Sequence, residues 1–71
     1  MKDSSYKVIA TASQGWWSLE VPSVLGAISQ ARTHEEAIFM AKDAISLILE
    51  IPLQAISVEI EYSGDLAASH S

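Results

Sequence analysis

Two histidines, nine acidic side chains and no cysteine make up the reactive inventory of this 71-residue chain. His34 is followed by Glu35 and Glu36, side chains of the kind that ligate zinc. Adjacent positions on a helix diverge by about 100°, however, so these groups do not converge on one ion. His70 stands among serines and alanines near the C-terminus, with no partner ligand beside it. Glu59 and Glu61 alternate with apolar residues, which puts both carboxylates on one face of a strand, roughly 6–7 Å apart. That separation suits paired acid–base work only inside an apolar enclosure, and no residue pattern around them supplies one. Their reading is a solvated face suited to a cationic partner. No serine lies in a Gly-x-Ser-x-Gly context, and Gly15 and Gly26 stand singly rather than in a phosphate-cradling loop. No catalytic residue, metal ligand set or cofactor site is therefore expected.

The paired tryptophans are the most distinctive local feature. In the alternating segment 16–21, Trp17, Leu19 and Val21 share one face, and Trp16, Ser18 and Glu20 share the other. Trp17 is read as core. Trp16 covers the end of a hairpin or anchors a contact, since tryptophan is favoured at interface hot spots.

The elements that must position these groups follow from patterning. Segment 6–12 is rich in β-branched and aromatic residues, and Ser13-Gln14-Gly15 supplies a turn into the strand 16–21, which Pro22 stops. A weaker third strand is read over 26–31. Thr33 with Glu36 three residues later forms a capping-box signal for a helix over 34–50, and Pro52 ends it. Segment 56–62 alternates without exception and is the clearest strand of the chain. The expected architecture is one small α+β domain, β-β-β-α-β. In it an antiparallel three-strand meander is joined by a fourth strand parallel to the first, and one helix packs on one sheet face. Residues 1–5 are expected to fray, 6–62 to fold, and 63–71 to form a flexible tail.

The apolar faces of these elements predict a core of Val8 and Ala10; Trp17, Leu19 and Val21; Ile28; Ile38, Ala41, Ile45 and Ile48; Val58 and Ile60. The helix carries a second apolar set, Met40, Leu47 and Ile51, about 100° round from that stripe. With Ala44 it has the four-three-four spacing of a packing seam. Ile9 falls on the sheet face opposite the core, beside Trp16.

A net charge of −5, with Lys2, Lys7, Arg32 and Lys42 scattered, argues against direct nucleic acid binding and favours a basic protein partner. A domain this small lacks disulfides, and its mean hydropathy is +0.23. Together these features predict a homo-oligomer. No run of roughly 18 apolar residues or signal-peptide core is present, so a cytoplasmic protein without a membrane span is expected.

Several of these residues spell a pattern that resembles the N-terminal domain of the HicB antitoxin family. They are Tyr6-Lys7-Val8, the run Gly15-Trp16-Trp17-Ser18-Leu19-Glu20-Val21-Pro22, then Gly26-Ala27-Ile28-Ser29-Gln30-Ala31-Arg32-Thr33, and Glu35-Glu36-Ala37. The resemblance spans about 6–62. It departs from the family at Ser23 and Leu25, where members commonly carry an acid and a second proline. It implies a partial ribonuclease H-like β-β-β-α-β fold without nuclease activity, and a domain that binds and neutralises HicA, a small basic toxin ribonuclease. Many members continue into a DNA-binding module; nothing after Tyr62 reads as one, so a solitary form is expected. The partner or oligomer surface is expected among Trp16, Ile9, Met40, Leu47, Ile51, Glu59 and Glu61. Two other readings are a small-ligand module floored by Trp16 and Ile9, and a purely structural oligomerisation module.

Overall fold

In the computed structural model, residues 4–64 are described, and the expectations placed on 1–3 and 65–71 lie outside them. The chain runs β1 (Ser4–Ser13), β2 (Trp16–Glu20), β3 (Ile28–Ala31), α1 (His34–Leu49), a one-turn 3₁₀ segment (Leu53–Ala55) and β4 (Ile56–Ser63). The strands form one sheet in the order β3-β2-β1-β4. β1–β2 and β2–β3 pair antiparallel, and β1–β4 pair parallel. This is the α+β arrangement that the sequence predicts, with a single helix on the sheet.

Turn chemistry sets the strand limits. Gln14 and Gly15 both take positive φ, at 47° and 88°, and reverse the chain between β1 and β2. Ser4 and Ser5, expected to fray, instead pair with Ile56 and Ser57 and extend β1. At the other end of the domain, Ser63 pairs with Thr11 and so belongs to β4 rather than to a tail. Gly26 and Ala27, expected in the third strand, belong to the turn before it: Val24 N–H donates to Val21 O, and Ala27 N–H to Val24 O, each at 3.0 Å. Gly26 takes φ +89°, where a side chain would be strained.

The helix start is a reciprocal capping box. Glu36 N–H donates to Thr33 Oγ1 at 3.1 Å, and Glu36 Oε1 accepts from Arg32 N–H at 2.8 Å. The helix ends one residue before its expected limit, because Glu50 adopts the left-handed conformation (φ 58°, ψ 46°) and donates its N–H to Ser46 O. Ser46 Oγ donates to Ile51 O at 2.6 Å and ties the departing chain back to the last turn.

One face of the sheet meets the helix. Val8, Ala10, Leu19, Val21, Val24, Ala27, Ala31, Ala37, Ala41, Ile45 and Ile56 are buried, with Trp17, Val58 and Ile60 packed against them. Three predicted core residues fall outside. Ile28 pairs with Glu20, on the face away from the helix, and is 68% exposed; Ala27 and Ala31 point inward in its place. Ile48 lies on the sheet-facing side of α1 but near the turn at Gly26, and it remains exposed. Ile38 is half-buried and is not among the side chains of the core cluster. Small alanines on α1 and β3 let helix and sheet approach closely, so these positions serve as core despite their modest apolar area.

Candidate functional site

The uncovered sheet face is built by register. Ile9 stands between Glu20 of β2 and Glu61 of β4, Lys7 lies beside Glu59, and Thr11 lies beside Ser18. Side chains alternate along each strand, so Lys7, Ile9, Trp16, Glu20, Glu59 and Glu61 emerge on the same side. Ile9 is half-buried between Glu20 and Glu61. Lys7 Nζ sits 3.3 Å from Glu61 Oε1, an exposed pair of little net stabilisation. It is the single ion pair among the described residues, which leaves the Glu20 and Glu59 carboxylates facing solvent without a cation.

Trp16 is 37% exposed at the hairpin end of this face, and the Arg32 guanidinium lies 4.1 Å from its ring centroid. A cation over an indole face is an attractive arrangement that holds both side chains in place. Trp17 points to the helix side of the sheet and meets Tyr62 edge-on, with ring centroids 4.7 Å apart. Tyr62 in turn hydrogen-bonds through its hydroxyl to His34 Nδ1, joining the end of β4 to the first turn of α1. Partial burial pushes the Tyr62 phenol above its ordinary range. The His34–Tyr62 contact had no local signal, since the two residues lie 28 positions apart. Only the shared end of a down-running helix and an up-running strand places them together.

Of the seven residues singled out from the sequence, Trp16, Ile9, Glu59 and Glu61 share the open sheet face. Met40, Leu47 and Ile51 do not form a continuous seam. Met40 and Ile51 pack against the core, and Ile51 lies beyond the helix, where the left-handed Glu50 removes it from helical phase. Leu47 alone projects, 73% exposed. A shallow recess of about 130 Å³ sits at the β2–β3 turn, lined by residues from Glu20 to Ile28, and neither Trp16 nor Ile9 borders it. Its volume is below the roughly 300 Å³ at which small-molecule sites begin.

Among the described residues no three His, Cys, Asp or Glu side chains gather to hold a metal, and no helix is long and apolar enough to cross a membrane. The architecture defines the class: a small α+β domain with a four-stranded mixed sheet covered on one side by a single helix. Comparison of the chain with protein-family models, curated proteins and solved structures gave no match.

Proposed function

We propose that this chain is a non-enzymatic protein-interaction module of the HicB antitoxin type, which binds a small basic HicA-like toxin ribonuclease in the cytoplasm and blocks it. The observation that carries this reading is the sheet face away from the helix, where Glu20 and Glu59, in no ion pair among the described residues, stand with half-buried Ile9 and exposed Trp16. Carboxylates around an aromatic anchor are a surface suited to lysine- and arginine-rich partners, with charge steering the approach and the indole supplying buried area. The motif run from Tyr6 to Ala37 supports the same reading and names the partner class. Net charge of −5 opposes contact with nucleic acid, so regulation by direct DNA binding forms no part of the proposal.

The test is titration of the purified chain into a HicA-like ribonuclease, read by calorimetry and by RNA cleavage. The expected result is a complex that suppresses cleavage and weakens as salt rises from about 50 to 300 mM, where the Debye length shortens to several Å. Glu59→Lys with Glu20→Lys should weaken it by at least tenfold, roughly 1.4 kcal/mol. Both side chains are solvent-facing, so circular dichroism should stay unchanged. Absence of any complex at low salt would remove the antitoxin reading.

A further inference from the structure

The sheet has two open edges, β3 and β4, and their charges differ. β4 carries Glu59 and Glu61 on one face. Antiparallel pairing of β4 with a second copy about Ile60 sets Glu59 opposite the partner's Glu61, a like-charge contact repeated by symmetry. β3 is Ile28-Ser29-Gln30-Ala31, with no charged residue in the strand. In a chain of net charge −5, this is the edge at which two copies meet without like charges face to face.

Its backbone is also free to do so. Val21 N–H donates to Ala27 O at 3.1 Å, in line with the β2–β3 register. In an antiparallel ladder alternate residues bond to the same side, so the Ala27 C=O and the N–H and C=O groups of Ser29 and Ala31 turn to β2. Those of Ile28 and Gln30 point outward, with no strand beside them among the described residues. The surroundings are apolar: Ile28 is 68% exposed, Leu25 in the preceding turn is 96% exposed, and Ile48 of α1 lies close by, its Cδ1 3.7 Å from where a Cβ on Gly26 would stand.

We infer that a second copy of this chain pairs through β3, antiparallel about a dyad at Ser29, continuing the two sheets into one. In this register Ile28 and the Gln30 of the second copy exchange both backbone hydrogen bonds, and the symmetric pair repeats the exchange. Ser29 meets its own copy on the helix side, where paired hydroxyls hydrogen-bond. A closed two-fold contact of this kind uses up the β3 edge of each copy, and the like charges on β4 oppose further growth at the remaining edges. It is independent of the toxin reading, which uses the open sheet face and is tested without reference to self-association.

The test is mass by light scattering and sedimentation from about 1 to 100 μM, on the full chain. The expected mass is that of a dimer. Ile28→Lys with Gln30→Lys places ammonium groups opposite one another across the dyad and should halve the mass. Ile28→Lys with Gln30→Glu places opposite charges there and should restore the dimer. Both side chains are exposed, and position 28 faces Glu20 within its own sheet, so the fold is spared. Amide exchange of the unaltered protein is the second measurement: Ile28 and Gln30 N–H should be protected, increasingly so at high concentration. A monomer throughout the range overturns the inference, as does a dimer indifferent to the first pair of substitutions or not restored by the second, or free exchange at both amides.

Discussion

Tyr62 joins three elements through one residue: its ring rests against Trp17, its hydroxyl meets His34, and its backbone pairs with Ala10. Partial burial disfavours the phenolate, so the folded phenol titrates above its ordinary value near 10. A raised folded-state value means that the native protein holds its proton where the unfolded chain has released it. Stability is thus intact below pH 10 and falls as pH rises from 10 through the folded value. Urea denaturation between pH 8 and 11 should show this decline, and Tyr62→Phe should flatten it. An equal decline in the phenylalanine variant would assign the alkaline loss to other groups. Neighbouring Trp17 was legible from alternation alone. The Tyr62–His34 contact was not, because local patterning carries no record of which element ends share a corner.

At the scale of elements, patterning read what periodicity controls. Val8, Ala10, Leu19 and Val21 alternate, Ala41 and Ile45 recur at helical spacing, and all are buried. β3 defeated the same reasoning because it is four residues long and its inward positions are a serine and an alanine. The largest apolar side chain there, Ile28, suggested the wrong face, and a slip of one residue in a strand reverses every side chain. The helix end was masked differently: Pro52 gave a strong stop signal, while the actual stop is the left-handed Glu50. That conformation costs an L-residue about 1–2 kcal/mol, and a carboxylate there also faces the negative end of the helix dipole. Glu50→Gly should raise stability by about 0.5–1 kcal/mol, after the entropy that glycine loses on folding. The measurement is the urea midpoint at constant slope, and an unchanged or lowered midpoint would contradict it.

For the whole molecule, the core is narrow, and its largest fully buried side chains are Leu19, Ile45 and Val8. So few large groups leave little reserve in a domain whose class is stable by only about 5–15 kcal/mol. Ile45→Ala should cost about 2–5 kcal/mol, enough to unfold a substantial fraction at 37 °C. Ile48→Ala, one helical turn away in the same predicted stripe but solvent-exposed, should cost well under half as much; equal losses in thermal melts would contradict the burial pattern. The apolar surplus read from composition has a location as well. Leu25, Ile28, Leu47 and Ile48 lie around the β3 edge and the end of the helix, while Phe39 projects from the middle of α1 and Trp16 from the hairpin end, rather than all along one seam.

The parallel pairing of β1 with β4 has a consequence for synthesis. β1 lies inside the sheet, yet one of its two neighbours is the last of the four described strands to be made. During translation the β1–β2–β3 meander and α1 emerge with that flank of β1 unsatisfied, and Ile56, a buried member of the core, has not yet arrived. The domain therefore closes only once Ile56–Ser63 has cleared the ribosome. Until then, the unpaired flank of β1 on the nascent chain is the kind of exposed strand edge at which misassociation starts.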